Sequence, residues 1–395
     1  MTPSDMPPPD NRQGIELPVP DDAAIEHSMR LVSEIIERIE QRGGVIGFDE
    51  YMQMALYQPG LGYYSASLPK FGAEGDFVTA PEISSLFGYC LARQAEALIA
   101  QGCVAEVLEF GAGSGKLCAQ ILEALPLLSR YRILDLSADL RARQQQYLEQ
   151  RLPAELFHKI EWLDQLPRDF DGIVLANEVL DAMPVHVLRK QEDWQELGVT
   201  WRGQGFEWRA IEQTAALEVM RRIESQLGEL PPDYRSELNL NYAPWLKALA
   251  ESCRRAVVLI VDYGYEQAQY YYPSRSSGTL TCHLRHRVHG DPFVYPGLQD
   301  ITAFVDFDAC ADAAEAGGFD IAGLIGQGQF LLANGLLDEA QRRAEGSDPV
   351  AQLAISQQVA TLSLPQEMGE QFKVMALQKG LSLELPAMQR GHAYG

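Results

Sequence analysis

The stretch Glu109-Phe110-Gly111-Ala112-Gly113-Ser114-Gly115 decides the fold of this 395-residue chain. An apolar run over residues 104–108 leads into the acidic Glu109, three alternating glycines follow, and helix-like sequence begins at Lys116. Glycine allows positive φ angles and lets the backbone approach a ligand closely. The first turn of a helix presents unpaired N–H groups. A strand, a glycine turn and a helix in this order predict a pocket for a nucleotide-like cofactor.

The spacing of the glycines distinguishes between possible cofactors. A dinucleotide fingerprint needs a glycine where Lys116 stands. A phosphate-binding loop ending in Gly115-Lys116 needs a glycine at Phe110 and a hydroxyl at Leu117, so it fails twice. The remaining pattern, an acidic residue and then G-x-G-x-G, is similar to the first motif of class I S-adenosylmethionine methyltransferases. A glycine-rich turn without a ligand stays open as the alternative.

A second carboxylate lies where a ribose would be bound. The run Tyr131–Leu136 is typical of a short buried strand, and Asp135 falls 20 residues after Gly115. An acidic residue at about this offset binds the ribose hydroxyls in Rossmann-like folds. The alternative is a role at a helix start, because Ser137 follows closely.

The cofactor pocket is expected to lie at the ends of several predicted strands. We predict that it is formed by Glu109 with the three glycines and by residues that end the following strands: Asp135 and Leu136, Leu163 and Asp164, and Asn177.

The alternation of elements predicts an α/β fold with a mostly parallel sheet. Predicted strands at 104–110, 131–136, 159–163, 172–177 and 256–262 are followed by an antiparallel terminal hairpin of Phe319–Leu324 and Gln329–Ala333. This arrangement indicates the seven-stranded, Rossmann-like sheet of class I methyltransferases.

The remaining segments are assigned around this sheet. We predict a flexible tail over 1–22, a helical region with a cofactor-proximal loop over 23–100, a core over 101–335, and a C-terminal helical extension over 336–395. Two insertions, 184–255 and 263–302, follow the fourth and fifth strands, and the second of them is expected to be loop-like.

Composition limits the function classes. The net charge of −23 argues against nucleic-acid binding, which requires clusters of Lys and Arg. The six cysteines form no C-x-x-C pair, so neither zinc nor a disulfide framework is expected. No apolar run reaches 18 residues, which predicts no membrane insertion. Because residues 1–22 lack a secretory or mitochondrial leader pattern, a cytoplasmic location is expected.

Two carboxylates are the candidate catalytic residues. Glu178 and Asp181 follow the predicted strand 172–177 and stand three residues apart, so on a helical turn they would share a face. Paired carboxylates bind a guanidinium group through bidentate hydrogen bonds. The alternatives are a helix cap for Asp181 and an internal ion pair for Glu178.

A glycine-rich segment before the core is a candidate substrate or cofactor loop. Its polar residues Asp76, Thr79 and Glu82, with Pro81, would face the site, although a turn and helix cap explain the same pattern. The spacing of His283, His286 and His289 matches no known metal geometry, so no metal is predicted.

With these residues in place, the chain resembles the MidA-type methyltransferases, bacterial relatives of a mitochondrial complex I assembly factor with protein-arginine methyltransferase activity. The resemblance covers most of residues 60–375. The motifs that carry it are Gly62–Tyr64, Gly75–Glu82, Glu109–Gly115, Ala176–Glu178 with Asp181–His186, Asp262–Tyr265, Tyr272–Leu280, Pro296–Thr302 and Glu367–Val374. Asp135 stands where many members are expected to have Glu, and Val179-Leu180 where aromatics are common.

The resemblance implies S-adenosyl-L-methionine as cofactor and a protein arginine as acceptor. For the mitochondrial members the acceptor arginine belongs to a respiratory-complex subunit, and whether bacterial members share that substrate stays open. The leading hypothesis is therefore a methyltransferase acting on a protein substrate. The alternative is an S-adenosylmethionine-binding assembly chaperone or interaction protein for which catalysis is not essential. The oligomeric state and the degree of methylation stay open.

Overall fold

A computed structural model describes residues 17–66, 79–135, 137–212 and 214–389 of the chain. The helices in these ranges are α1 (Asp22–Gln41), α2 (Phe48–Tyr57), α3 (Ala80–Ile83), α4 (Ser85–Ala100), α5 (Lys116–Ala124), α6 (Ala138–Arg151), α7 (Ala154–Phe157), α8 (Ala215–Leu227), α9 (Tyr242–Ser252), α10 (Gln267–Tyr270), α11 (Phe307–Gly317), α12 (Gln327–Ala333), α13 (Leu336–Ala344), α14 (Pro349–Ser363) and α15 (Pro386–Gln389), with a short π-helical segment at Pro365–Gly369.

The strands of the same ranges are β1 (Ile46–Gly47), β2 (Glu106–Phe110), β3 (Arg130–Leu134), β4 (Ile160–Leu163), β5 (Phe170–Asn177), β6 (His186–Lys190), β7 (Trp194–Trp201), β8 (Phe206–Ile211), β9 (Arg235–Leu238), β10 (Cys253–Tyr265), β11 (Thr281–Leu284), β12 (Arg287–His289), β13 (Asp300–Thr302), β14 (Val305–Asp306), β15 (Asp320–Gly326) and β16 (Phe372–Lys379).

The chain divides into two compact units. The first unit comprises Met1–Phe77, Asp181–Asn241 and Glu266–Asp306, and the second comprises Val78–Leu180, Tyr242–Tyr265 and Phe307–Gly395.

A mixed sheet forms the centre of the second unit, with strand order β15-β16-β10-β5-β2-β3-β4. The pairs from β10 through β5, β2 and β3 to β4 are parallel. Strands β5 and β10 are runs of Ile, Val and Leu buried on both faces, because helices cover a parallel sheet on both sides. The predicted α/β architecture with a largely parallel sheet is confirmed.

The last strand of this sheet is not where the sequence predicts it. Residues predicted as the second hairpin strand, Gln329–Ala333, belong to helix α12, so that prediction is wrong. The strand that pairs antiparallel with β15 is β16, from the segment predicted as wholly helical, and it also pairs antiparallel with β10. Helices α12, α13 and α14 occupy the chain between the two strands.

The first unit has an antiparallel sheet of its own, in the order β1-β7-β6-β9, with β8 also paired to β7. Helices α1 and α2 supply buried residues such as Ile35 and Tyr51, which pack with Val187 and Val199 of the sheet in one apolar core. The insertion predicted as loop-like, 263–302, instead contains helix α10 and a small sheet of order β12-β11-β13. The hairpin between β11 and β12 turns through Arg285 and His286, both at positive φ.

Candidate cofactor-binding site

The glycine turn connects β2 to the start of α5. Gly111, Gly113 and Gly115 have φ values of 59°, 53° and 84°, which lie in the left-handed region that favours glycine. The N–H of Gly111 donates to the carbonyl of Leu134 at 3.0 Å, so the turn is fixed to the end of β3. Among the described residues, a Cβ atom at Gly111 would meet Val179 Cγ2 at 3.8 Å and no other atom within 4 Å, which leaves the backbone open to a ligand.

Asp135 lies directly after β3, beside the glycine turn. Its Oδ1 accepts from the backbone N–H of Ser137 at 3.0 Å, and its Oδ2 accepts from Gln144 Nε2 at 2.8 Å. The same Gln144 nitrogen donates to the carbonyl of Gly113 at 3.1 Å, and Trp162 Nε1 donates to Gln144 Oε1 at 3.1 Å. Gln144 is fully buried and therefore fixes the turn and the carboxylate relative to each other.

Glu109, the acidic residue of the motif, is a buried carboxyl group in β2 and is 2% exposed. The hydroxyl of Tyr131 on β3 donates to its Oε2 at 2.8 Å. Burial, together with the negative charge of Asp135, raises the pKa of Glu109 to about 8, although the Tyr131 hydrogen bond acts in the opposite direction. The group is therefore largely protonated at neutral pH.

The short helix α3 holds the turn from its other side. Glu82 Oε1 accepts from the hydroxyl of Ser114, and its Oε2 pairs with Lys116 Nζ. The carbonyl of Pro81 accepts from Gln120 Nε2 at 2.8 Å. The carbonyl of Thr79 accepts from the N–H of Glu82, which closes the turn of α3. The candidate loop thus supports the glycine turn through Glu82, while Asp76 lies outside the described residues.

The end of β4 contains the predicted cofactor residues Leu163 and Asp164. Leu163 is partly buried, and register pairs it with Leu134. Asp164 is 85% exposed and forms an ion pair with Arg141 of α6. Leu136 lies outside the described residues.

Strand β5 ends at Asn177, next to β2 in the sheet. Its Nδ2 donates to Glu178 Oε1 at 3.1 Å, and its buried Oδ1 has no hydrogen-bond partner among the described residues. Glu178 has a φ of 52°, uncommon for a residue with a side chain, and its N–H donates to the carbonyl of Val261 on β10 at 2.8 Å. Such strain concentrates at functional sites.

The predicted helical spacing of Glu178 and Asp181 is absent, because Glu178–Leu180 forms a bend after β5 and no helix follows. The left-handed conformation of Glu178 is what ends the regular strand. Asp181 begins the next segment of the first unit, where it is 5% exposed and its carbonyl accepts from the N–H of Ala303.

Two contributors to this site were not among the predicted site residues. Gln144 is one of three consecutive glutamines on a polar helix, and nothing in the sequence distinguishes it from its neighbours. Asp262, fully buried near the end of β10, accepts from the N–H of Leu180 at 2.9 Å and holds the segment after β5. The sequence analysis predicts a strand there and includes Asp262 in one of the motifs of the family resemblance, but it assigns the carboxylate no role.

In the part of the chain that the structure describes, no helix combines the length and the hydropathy required to cross a membrane.

Comparison with known proteins agrees with this geometry. A family model described as "Putative S-adenosyl-L-methionine-dependent methyltransferase" matches residues 90–325. The chain is 30% identical over 370 residues to the mitochondrial "Protein arginine methyltransferase NDUFAF7 homolog" of Drosophila melanogaster, covering 86% of this chain and 82% of the relative. It is 27% identical over 376 residues to the corresponding mitochondrial protein of Danio rerio, covering 85% of this chain and 83% of the relative.

A solved structure from Burkholderia thailandensis is similar over nearly the whole chain. It superposes with a TM-score of 0.88 at 40% sequence identity, covers 95% of this chain and 98% of its own, and has S-adenosyl-homocysteine bound. S-adenosyl-homocysteine is the product that S-adenosylmethionine leaves after giving up its methyl group.

Proposed function

The chain belongs to this family of S-adenosyl-L-methionine-dependent methyltransferases, and from that premise we propose that it methylates an arginine side chain of a protein. The two relatives described above are named protein arginine methyltransferases, and the alignment with this chain covers more than four fifths of each of them. The observation in the structure that carries the proposal is Glu178. Glu178 follows β5 and has a strained, left-handed backbone conformation. It therefore lies at the edge of the sheet where the glycine turn also lies.

The residues at this edge fit the cofactor. The open backbone at Gly111 accommodates a nucleoside without a side chain in the way. Asp135 is oriented by hydrogen bonds from the Ser137 N–H and from Gln144, and a carboxylate at this position of a Rossmann-like fold accepts ribose hydroxyls. Asn177 Oδ1, which has no hydrogen-bond partner in the part of the chain that the structure describes, offers a further acceptor. S-adenosylmethionine supplies an electrophilic methyl group when bound.

Glu178 suits a guanidinium acceptor in two ways. A carboxylate binds guanidinium N–H groups with charge-assisted hydrogen bonds, which fixes the orientation of the acceptor nitrogen. That nitrogen must lose one proton when it gains a methyl group, and a neighbouring carboxylate can accept it. The backbone bond to Val261 and the side-chain bond from Asn177 hold Glu178 in position for both tasks.

The proposal extends to the fold and the biological context. The strand order of the second unit, with β16 antiparallel between β15 and β10, supports a class I methyltransferase sheet. We include the MidA-type assignment and a respiratory-complex subunit as the acceptor, supported by the resemblance of the motifs. A cytoplasmic location is part of the same proposal.

Transfer of a labelled methyl group from S-adenosylmethionine into proteins of a cell extract, with mass spectrometry of the modified residue, tests this function. We expect the label on arginine. Glu178→Gln should lower the rate at least a hundredfold while binding S-adenosylmethionine as before, because its backbone hydrogen bond remains.

Asp169→Asn is the matched control. Asp169 is also an acidic residue with left-handed backbone, φ 54°, but it precedes β5 and so stands at the opposite end of that strand. Its replacement should leave the rate unchanged. Label found only on small molecules, or equal rates for Glu178→Gln and the unaltered protein, would reject the arginine proposal.

A further inference from the structure

A cluster in the first unit consists of Asp49, His186 and Glu196, none of which is among the residues of the cofactor site described above. Their ligand atoms all lie within 4.8 Å of one another. We propose that this cluster binds a divalent transition-metal cation, of the Zn²⁺ class, that fixes helix α2 to the antiparallel sheet. The proposal is independent of the methyltransferase site, and it departs from the sequence-based expectation of no metal.

Three elements bring these side chains to one place. Glu196 on β7 pairs with Leu188 on β6, so these two side chains project from the same face of the sheet. Leu188 lies two residues after His186 on the same strand, and side chains two residues apart share a face. His186 and Glu196 therefore project from the same face. Asp49 comes from the first turn of α2, which begins directly after β1. Strand β1 in turn pairs with β7, at Gly47 and Gly198, two residues beyond Glu196.

The distances suit a small cation. His186 Nδ1 lies 2.8 Å from Glu196 Oε1 and 3.7 Å from Asp49 Oδ1. Zinc bonds of about 2.1 Å at tetrahedral angles place two ligand atoms roughly 3.4 Å apart, which lies between the two values. Small side-chain movements therefore bring all three atoms onto one ion.

Glycine keeps the space beside the oxygens open. A Cβ atom at position 47 would stand 2.1 Å from Asp49 Oδ1 and 3.9 Å from Glu196 Oε1. Any other residue at Gly47 would thus displace the Asp49 carboxylate. Gly47 has an ordinary extended backbone, with φ −61° and ψ 154°. The position therefore requires glycine for its small size and not for its conformational freedom.

The charges of the cluster are not balanced by the protein. Glu196 is only 3% exposed and Asp49 35%. Within the described ranges no lysine or arginine forms an ion pair with either carboxylate, and His186 is their common cationic neighbour. A protonated His186 has one Nδ1 proton, which Glu196 accepts at 2.8 Å, while Asp49 at 3.7 Å is beyond hydrogen-bond distance. One divalent cation would satisfy both carboxylates.

The donor set defines the metal class. One imidazole and two carboxylates suit Zn²⁺ and neighbouring transition metals, whereas Mg²⁺ prefers oxygen ligands and retains its waters. The exposed side at Asp49 leaves room for a water ligand.

Calorimetric titration of the metal-free full-length protein with ZnCl₂, and separately with MgCl₂, tests the site. We expect one Zn²⁺ per chain, a melting temperature several degrees higher with Zn²⁺, and much weaker Mg²⁺ binding. Asp49→Asn and His186→Gln should each weaken Zn²⁺ binding at least tenfold. Glu50→Gln is the matched control, because Glu50 is the next acidic residue of the same helix and pairs with Arg38 and Arg42.

Saturable binding of one Zn²⁺ that depends on Asp49 and His186 but not on Glu50 supports the site. No stoichiometric binding, or undiminished binding in both cluster variants, overturns it. Since His186→Gln perturbs a partly buried position, Asp49→Asn with an unchanged circular dichroism spectrum is the deciding variant if His186→Gln fails to fold. Co²⁺ absorption without thiolate charge-transfer bands excludes binding through the cysteines, all of which are buried.

Discussion

The side chain of Gln144 donates to Asp135 Oδ2 at 2.8 Å, and this bond orients the carboxylate proposed to bind ribose. The same amide reaches the carbonyl of Gly113 and accepts from Trp162, so one buried residue joins the glycine turn, the end of β3 and β4. The geometry of the cofactor site thus depends on a helix residue that was not among the predicted site residues.

Gln144→Met keeps the volume of the side chain but removes its hydrogen bonds. We expect at least tenfold weaker S-adenosylmethionine binding, measured by calorimetry, because Asp135 loses its orientation. The folded state should be destabilised by about 2–4 kcal/mol, since Trp162 Nε1 and the Gly113 carbonyl lose a buried partner. Gln145→Met, at the exposed next position, should change neither quantity. Equal affinities for the two variants would show that Asp135 does not need this support.

Replacement of Gly111 by alanine separates backbone strain from ligand contact. Within the ranges that the structure covers, the new methyl group would approach Val179 alone, at 3.8 Å, so we expect the left-handed φ to lower stability by about 1 kcal/mol. Gly60→Ala is the control, because Gly60 has a φ of 72° and no atom within 4 Å of the added Cβ. Both variants should melt at similar temperatures, but only Gly111→Ala should lose S-adenosylmethionine affinity, at least tenfold. Undiminished affinity in Gly111→Ala would place the cofactor away from this glycine.

The link between Glu82 and the glycine turn predicts a smaller effect. Glu82 is 6% exposed on its side chain and pairs with both Ser114 and Lys116. Glu82→Gln retains one acceptor but loses the charge, so we expect a several-fold loss of S-adenosylmethionine affinity in calorimetry. Glu96→Gln breaks an exposed pair with Arg93 and should have no measurable effect, because exposed ion pairs contribute little. Equal affinities in both variants would indicate that the turn keeps its shape without Glu82.

Local features of the second unit were predictable from sequence, and long-range ones were not. The glycine turn and the strand ends at Asp135 and Asn177 follow from residue pattern and spacing within short segments. The run Gln329–Ala333 is short and apolar, a pattern that fits either a helix or a strand. The segment is a helix because β16 takes the place beside β15 in the sheet. Strand β16 follows three helices and pairs with residues far away in sequence.

The polar contacts of the site were likewise predictable from sequence only where they depend on a local motif. Glu109 is recognisable as part of a motif, but its partner Tyr131 looks like an ordinary residue of a strand. Only the parallel register, which pairs Val107 with Tyr131, brings the phenol next to the carboxyl group two residues further along β2. Functional contacts of this kind depend on register, which a single sequence does not specify.

The raised pKa of Glu109 makes a prediction about pH. The unfolded chain ionises this group near its ordinary pKa of about 4.3, whereas burial raises the pKa in the folded protein to about 8. Between these values the folded state holds one proton more than the unfolded state. Stability therefore falls as the pH rises from about 4.3 to about 8, by up to ~1.4 kcal/mol per pH unit, and this contribution is constant above that range.

Glu109→Gln is neutral at every pH and keeps an acceptor for Tyr131, so its urea midpoint should decline less steeply from pH 5 to 8. Glu106→Gln is the control, because Glu106 lies three residues earlier on β2 and is partly exposed. This variant should retain the slope of the unaltered protein. Parallel pH profiles for Glu109→Gln and the unaltered protein would mean that Glu109 is ionised in the folded state.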